Sequence, residues 1–298
     1  MNIRPRRSVL YMPGSNARAI EKARTLPADC IVLDLEDSVA PDAKAAARIR
    51  VSEAITAGGF GDREVIVRIN GLDTEWWRTD LEVIAFASPD AILVPKVSIP
   101  DDLKCVQKEL DDMYAESGIR VWAMMESPLA MLNARDIAAV AQNPQAPQAR
   151  LAAFVMGTND LAKDTRARII PGRASMLPWL MICVAAARAF GIDIIDGVYN
   201  DLGNPAGFTE ECAQARDLGF DGKTLIHPNQ IEACNAAFAP NAEEVAQARK
   251  VIDAFERPEN KNKGVIALDG RMVERLHADM ARRTVAIADA IELMHAGP

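Results

Sequence analysis

The sequence predicts an α/β protein folded as a closed (β/α)8 TIM barrel with a C-terminal helical extension. Short runs rich in Val and Ile recur along the chain, and stretches rich in Ala, Glu and Arg lie between most of them. Eight runs that alternate with helices match the strand count of this barrel. A doubly wound open sheet is the alternative, but such a sheet normally has fewer strands in a chain of this length.

Each predicted strand is a short apolar run that precedes turn or polar residues. The eight strands cover residues 8–12, 30–35, 64–69, 91–94, 121–125, 151–156, 192–195 and 222–226. The clearest helical stretches cover residues 17–25, 43–57, 128–141 and 176–190. We therefore assign residues 1–240 to the barrel.

Residues 241–298 form the predicted extension, because the alternation of strands and helices stops near residue 240. Residues 242–255 are predicted to be helical, and 258–264 form a polar linker. A final helix over 270–294 follows Asp269 and Gly270. A barrel does not need this segment for closure, so we expect it to cap an active site, either its own or that of a neighbouring subunit.

The charge and the cysteines exclude several functions. A net charge of −8 argues against a nucleic-acid surface or a polybasic membrane patch. No apolar run reaches the length of about 18 residues that a membrane span needs, and the apolar run near the N-terminus is too short for a signal peptide. Five scattered cysteines without a CxxC pair favour reduced thiols and a cytoplasmic protein.

Polar and ionisable residues cluster directly after the strands, where barrel enzymes carry their active sites. The opposite strand ends have no comparable pattern. These residues are the turn at 13–16, Glu36, Asp37, Arg68, Asn70, Lys96, Glu126, Asn159, Asp160, Asp196 and His227. This asymmetry predicts a catalytic rim at the carboxyl end of the barrel.

Glu126 and Asp160 are the candidate metal ligands. Each follows a buried strand, so the two carboxylates are expected to converge, and converging carboxylates repel unless a cation or a shared proton lies between them. Mg²⁺ fits such a site, with Mn²⁺ as an alternative, because it takes one or two carboxylates and keeps positions for water and substrate oxygens. For Asp160 the alternative is a structural role at a helix N-terminus.

Arg68 is the candidate anion clamp at the end of the third strand. Its guanidinium binds a carboxylate or a developing oxyanion with fixed geometry. The alternative is a structural ion pair with Asp34, Glu36 or Asp37, and both roles are compatible. These three acids near a buried strand end need cations, and Arg68, Lys96 and a metal are the available partners.

Several catalytic motifs are absent. Residues 219–224 resemble a phosphate loop, but the spacing of the glycines is wrong. No dinucleotide-binding glycine motif follows the first strand, and no serine-hydrolase elbow occurs. The three histidines do not form a zinc-binding HExxH pattern.

With these residues placed, the chain resembles the citrate lyase β-subunit group of the HpcH/HpaI aldolase superfamily, close to malyl-CoA lyases and (3S)-malyl-CoA thioesterases. The motifs that carry the resemblance cover nearly the whole chain. They lie at residues 7–15, 33–39, 67–71, 94–96, 124–128, 157–160 and 222–228. The resemblance implies a Mg²⁺-dependent barrel enzyme that acts on acyl-CoA and a small 2-oxo acid, as a homotrimer or hexamer.

The resemblance also implies roles for single residues. Glu126 and Asp160 match the Mg²⁺ ligands, and Arg68 matches the residue that clamps the reacting oxygens. Candidate contacts to substrate or CoA are Tyr11, Lys22, Asn159, Leu225, Ile226 and His227. In lyases of the family a C-terminal segment lends an acid to the adjacent subunit. Here residues 270–274 end in Glu274 where those lyases have Asp.

The resemblance predicts Mg²⁺-dependent cleavage of a β-hydroxyacyl-CoA of the malyl-, methylmalyl- or citramalyl-CoA type to a 2-oxo acid and an acyl-CoA. Glu274 would serve as acid or base at the thioester end. Hydrolysis of malyl-CoA, with Glu274 or Asp37 activating water, is the alternative. A non-catalytic acyl-CoA-binding subunit and an aldolase that does not use CoA are the two remaining alternatives.

Overall fold

The computed structural model describes residues 4–113, 118–142 and 150–296. Eight parallel strands close into a barrel in chain order, and the eighth pairs with the first. This confirms the predicted fold class. The strands are β1 (Ser8–Pro13), β2 (Cys30–Asp34), β3 (Glu64–Arg68), β4 (Ala91–Val94), β5 (Arg120–Met125), β6 (Leu151–Met156), β7 (Asp193–Asp196) and β8 (Gly222–Leu225).

Helices follow the strands and pack on the outside of the barrel, as in other right-handed βα units. Short 3-10 helices lie between β2 and β3, between β5 and β6, and after β8. The helices of the barrel region are α1 (Ala17–Ala23), α2 (Lys44–Ala57), α3 (Trp77–Ala87), α4 (Pro100–Asp112), α5 (Pro128–Ala138), α6 (Thr158–Thr165), α7 (Leu177–Phe190), α8 (Pro205–Leu218) and α9 (Ile231–Phe238).

The barrel interior is a packed apolar core at its centre and changes to polar residues at the carboxyl end. Val9, Val32, Ile66, Trp122 and Val155 belong to one buried cluster inside the barrel. Side chains alternate along a strand, so residues two positions apart share a face. The charged residues at the strand ends that keep this two-residue spacing therefore also point into the barrel.

Two site residues follow directly from this alternation. In the β2–β3 pairing Asp34 lies opposite Arg68, and both continue the inward series of their strands. Glu126 comes two residues after Met124, which belongs to the interior cluster. The strand register therefore directs one arginine and two carboxylic acids into the same end of the barrel.

Residues 238–296, together with Arg4 and Pro5, form a second compact unit. It consists of α10 (Ala242–Glu256), the hairpin β9 (Val265–Leu268) and β10 (Arg271–Glu274), and α11 (Arg275–Ala296). Val251, Phe255 and Ala278 belong to its own hydrophobic core. The two helices are thus held together by a buried apolar face.

The hairpin corrects the predicted start of the last helix. Asp269 and Gly270 do not introduce a helix but have φ values of 51° and 76°, in the left-handed region. An Asp-Gly pair in this conformation is the usual two-residue connection of a β-hairpin. Residues 271–274 consequently pair with β9, and the helix begins at Arg275.

Within the described residues, no helix is both long enough and apolar enough to cross a membrane. The five cysteines are free thiols, and Cys105 alone among them is only partly buried. Burial raises the pKa of the Cys183 thiol to about 12. Four of the five thiols are therefore buried residues of the core.

Candidate active site at the carboxyl end of the barrel

A cavity of about 320 Å³ opens at the carboxyl end of the barrel. Its walls come from β1, β2, β3, β5, β6 and β8 and from the segments that follow β2, β6, β7 and β8. The lining residues are Tyr11, Asp34, Asp37, Ser38, Arg68, Met124, Met156, Gly157, Thr158, Asn159, Asp160, Val198, Asn200, Thr224 and Ile226. The cavity combines charged groups with thioether and aromatic groups.

Arg68 is the centre of the charge network in this cavity. Its Nε and Nη2 donate to the two carboxylate oxygens of Asp34 at 2.6 and 2.7 Å. Its Nη1 lies 2.8 Å from Glu36 Oε2 and 3.3 Å from Asp37 Oδ2. The structural ion pairs and the predicted position at the rim therefore both occur.

The Asp34–Arg68 pair is rigid and stays charged. Burial favours neutral Asp34, but the charge and hydrogen bonds of Arg68 outweigh burial and hold the pKa of Asp34 below its usual value. The backbone N–H groups of Glu36 and Ser38 also donate to Asp34, at 2.9 and 3.1 Å. A carboxylate that accepts four hydrogen bonds fixes the guanidinium in one orientation.

Tyr11 and Asp37 both contact the Arg68 guanidinium, but they differ in burial. The Tyr11 ring stacks on Arg68 with 5.0 Å between the guanidinium carbon and the ring centroid, and burial raises the pKa of its hydroxyl. The Asp37 side chain is 62% exposed and makes the longest of the Arg68 ion pairs. Asp37 is therefore the acid near Arg68 that can most easily move or exchange its partner.

Glu126 is 2% exposed and lies behind Gly157. Its Oε1 accepts the backbone N–H of Lys96 at 2.7 Å. A Cβ at position 157 would lie only 2.4 Å from Glu126 Oε2, so only glycine leaves room for this carboxylate. Burial, then the negative charge of Glu36, raise the pKa of Glu126 to about 8, and Asp160 also contributes.

Asp160 lies in the first turn of α6 and lines the cavity. The N-cap of this helix is Gly157, so Asp160 is not the cap, but it lies in the first turn, where the helix dipole favours a carboxylate. The N-cap of α5 is Ser127, whose Oγ accepts the N–H of Ala130 at 3.0 Å, so Glu126 is not a cap either. Both carboxylates remain available for another partner.

The chemistry of these two acids fits a hard divalent cation. Among the described residues, no group of three or more His, Cys, Asp or Glu could hold a metal ion, so protein ligands would be limited to two carboxylates. Mg²⁺ is commonly held by one or two carboxylates, with water and substrate oxygens in the remaining positions. Burial raises the pKa of Glu126, and a bound cation would favour its carboxylate form.

The structure brings some of the predicted contact residues to the cavity and leaves others outside it. Asn159 and Ile226 line it, whereas Leu225 is fully buried in β8. Lys22 is exposed on α1. His227 precedes a 3-10 turn, accepts the N–H of Asn229 on Nδ1 at 3.1 Å, and lines a neighbouring cavity of about 270 Å³.

Asn200 is a cavity residue that sequence reasoning missed. Its side-chain amide pairs reciprocally with that of Asn159, at 2.7 and 3.3 Å, and so links the loops after β6 and β7. The signal was a polar residue four positions beyond β7, the same separation as that of Asp160 from the end of β6. Met124 and Met156 also line the cavity, although their sequence context indicated only a buried strand.

Asp196 is the rim residue for which sequence reasoning was wrong. It follows Ile195, which belongs to the interior cluster, so it faces away from the barrel axis. It is completely buried and pairs with Lys223 Nζ at 2.7 Å and Arg173 Nη1 at 2.8 Å. Asp196 therefore stabilises the barrel wall and does not line the cavity.

The fold and the cavity define a (β/α)8 barrel protein with an arginine-centred acidic site at the carboxyl end of the strands. The chain belongs to the HpcH/HpaI aldolase/citrate lyase family, whose model matches residues 7–228. This confirms the family predicted from the sequence motifs.

Curated relatives and solved structures agree with this membership. A (3S)-malyl-CoA thioesterase of Cereibacter sphaeroides is 49% identical over 292 residues, which cover 98% of both chains. The citrate lyase subunit beta of Escherichia coli is 36% identical over 291 residues, covering 96% of this chain and 94% of that protein. CitE from Mycobacterium tuberculosis, solved with magnesium, acetoacetate and coenzyme A, has a TM-score of 0.75 at 26% identity and covers 96% and 98% of the two chains.

Proposed function

We propose that the protein is a Mg²⁺-dependent thioesterase that hydrolyses a malyl-CoA-type β-hydroxyacyl-CoA to the free hydroxy acid and CoA. The observation that carries this proposal is the 49% identity, along 98% of both chains, to a (3S)-malyl-CoA thioesterase. The sequence motifs favoured carbon–carbon cleavage over hydrolysis. The full-length similarity reverses that order.

Glu126 and Asp160 are the proposed holders of the cation. When bound, Mg²⁺ supplies a Lewis acid and a template for substrate oxygens. Arg68 is the proposed contact for the substrate carboxylate, because Asp34 and Tyr11 fix its guanidinium plane. The longer contact of its Nη1 with Asp37 is the one that a substrate oxygen can replace.

Asp37 is the proposed base for hydrolysis. It lines the cavity, is exposed, and gains freedom when the substrate takes its place on Arg68. Its carboxylate accepts a proton as the water oxygen bonds to the thioester carbon. The C–S bond then breaks, the sulfur takes up a proton, and the hydroxy acid and CoA leave.

Glu274 is the proposed acid at the thioester end, supplied by another subunit. It ends β10, is half-buried in its own unit, and its backbone N–H donates to His277 Nδ1 at 2.9 Å. In hydrolysis it would protonate the departing sulfur. Glu carries one methylene more than the Asp that the related lyases have at this position.

Carbon–carbon cleavage is the second candidate, and the 36% identity to citrate lyase subunit beta favours it. Loss of the substrate hydroxyl proton would break the bond between the carbinol and α carbons, which leaves a 2-oxo acid and an acyl-CoA enolate. Arg68 would stabilise the developing charge. Glu274 would then protonate the enolate carbon.

The test is mass spectrometry of the products from malyl-, methylmalyl- and citramalyl-CoA, with Mg²⁺ and with a chelator. We expect equal amounts of hydroxy acid and free CoA from malyl-CoA, in a reaction that the chelator stops. A 2-oxo acid formed together with a shortened acyl-CoA would instead establish the lyase. No turnover of any of these thioesters would remove both candidates.

Variants assign the reaction to the described cavity. We expect Asp37→Asn to lower kcat about 100-fold or more, in the range for loss of a general base. Asp101→Asn is the matched control, because Asp101 is also an exposed acid paired with a cation, Lys104, at 2.8 Å. An Asp37→Asn enzyme with the kcat of the control would transfer the role of base to Glu274.

A further inference from the structure

Lys96 has an unusual backbone for a residue with a long side chain. It follows Pro95 directly after β4 and has a φ of 55°, in the left-handed region. Glycine adopts this conformation more readily, because it has no Cβ that would approach the following carbonyl oxygen. A lysine retained in this conformation indicates that surrounding contacts hold it there.

Hydrogen bonds hold the Lys96 turn on both sides. Its backbone N–H donates to Glu126 Oε1 at 2.7 Å, and its carbonyl accepts Ser98 Oγ at 3.2 Å. Ser98 Oγ also lies 2.8 Å from Ser127 Oγ, next to Glu126 in the chain. Hydrogen bonds on both sides of Lys96 thus join the turn after β4 to the loop after β5. The bond from the Lys96 N–H orients the Glu126 carboxylate.

The Lys96 side chain has a second task in the same network. Its Nζ lies 3.2 Å from Glu36 Oε1, and the other oxygen of Glu36 lies 2.8 Å from Arg68 Nη1. The Glu36 side chain is 7% exposed, so few water molecules can balance its charge. Lys96 and Arg68 together supply the two cations that hold this buried carboxylate.

We propose that Lys96 is a positioning residue. The backbone N–H of its left-handed turn orients Glu126 for a divalent cation, while its ammonium group holds Glu36 next to Arg68. Without the ammonium group, only Arg68 balances the charge of Glu36. The net negative charge near Glu126 and Asp160 is then larger. The cation then binds more tightly, but Arg68 loses part of the network that fixes its position. The turnover part of this inference rests on the proposed function, and the metal-binding part does not.

The test compares Lys96→Met with the charge-conserving Lys96→Arg in the full-length protein. Calorimetric titration with MgCl₂ alone measures Mg²⁺ affinity, and steady-state kinetics with the thioester give kcat and KM. For Lys96→Met we expect roughly fivefold tighter Mg²⁺ binding, from loss of one nearby positive charge. We expect kcat to fall about 30-fold or more with a smaller change in KM, because a misplaced clamp acts mainly on the transition state.

Lys96→Arg should return both quantities to within about threefold of the wild type, since a guanidinium keeps the charge. Lys104→Met is the control, because Lys104 is an exposed lysine in a surface ion pair at 2.8 Å. Unchanged or weaker Mg²⁺ binding in Lys96→Met, or an unchanged kcat, overturns the proposal; a purely structural role would weaken both. If no thioester is turned over, the Mg²⁺ titration still decides the metal-binding part.

Discussion

The chemistry of the cavity depends on how single residues are buried. Asp34 and Glu126 both lie at the carboxyl end of the barrel, yet their environments act in opposite directions. Arg68 keeps Asp34 ionised, whereas burial and the charge of Glu36 raise the pKa of Glu126 to about 8. One acid is therefore a fixed counter-ion, and the other is ready to exchange a proton for a cation.

Mg²⁺ binding is expected to release a proton from Glu126. With a pKa near 8, about nine-tenths of Glu126 is protonated at pH 7, and only the carboxylate form binds a cation. Affinity should therefore rise by nearly tenfold per pH unit below pH 8 and level off above it. Calorimetry at pH 7 in buffers with different ionisation enthalpies measures the released proton, and Glu126→Gln should abolish both binding and release. Equal heats in all buffers would contradict this prediction.

Gly157 is expected to be indispensable for the metal site. A methyl group at this position would lie 2.4 Å from both Cβ and Oε2 of Glu126, so Gly157→Ala must displace that side chain. We expect Mg²⁺ affinity and kcat to fall about 100-fold, as for misplacement of a catalytic group by about 1 Å. Gly264→Ala is the control, because a Cβ there meets no atom within 4 Å. Normal Mg²⁺ binding by Gly157→Ala would show that Glu126 is not the ligand.

At the scale of elements, a buried charge network joins β7, β8, α8 and the segment before α7. Lys223 Nζ lies 2.7 Å from both Asp196 Oδ2 and Glu211 Oε1, and Arg173 also donates to Asp196. Lys223 and Asp196 are completely buried. The network fixes the strands whose following loops carry Asn200 and Ile226 at the cavity.

Lys223→Met is expected to destabilise the protein strongly, because it leaves buried carboxylates with one cation fewer. Removing one partner of a buried ion pair costs about 3–5 kcal/mol, so we expect Tm to fall by roughly 5–10 °C. Lys104→Met provides the comparison, since an exposed pair is worth at most about 1 kcal/mol. Thermal unfolding followed by circular dichroism checks both variants. Equal Tm values would mean that the network adds no stability.

Strand positions and their order could be predicted because Val- and Ile-rich runs are local signals. Glu126, Asp160 and Arg68 could be predicted as rim residues for the same reason, since each lies at the end of such a run or within four residues of it. Whether Asp196 points into or out of the barrel depends on which residues of β7 face inward. A strand of four residues is too short for the sequence pattern to show which ones do. Lys96 was recognised only as a cation, because its left-handed turn depends on bonds to another loop. The hairpin at Asp269 was missed because a long helical pattern follows it.

The whole molecule has a barrel with its own cavity and a C-terminal unit that carries Glu274. Several large apolar side chains near Glu274 in sequence are exposed: Met272 is 72%, Leu276 52% and Met280 63% exposed. Large exposed apolar side chains close together are typical of surfaces that bind another protein. The homotrimer or hexamer that the resemblance implied, with Glu274 serving a neighbouring subunit, would need such a surface, and this expectation stays a prediction.

Mixed oligomers test whether Glu274 acts across subunits. We expect Glu126→Gln and Glu274→Gln each to be inactive alone, because each removes a different half of every site. When the two are unfolded together at equal amounts and refolded, a site is complete if its barrel has Glu126 and its neighbour supplies Glu274. With random assembly in a ring this holds for about one site in four, so about a quarter of the wild-type rate should return. If Glu274 serves its own barrel, every mixed site lacks one group and no activity returns. Light scattering on the same samples measures the oligomer, and an active monomer would exclude the shared site.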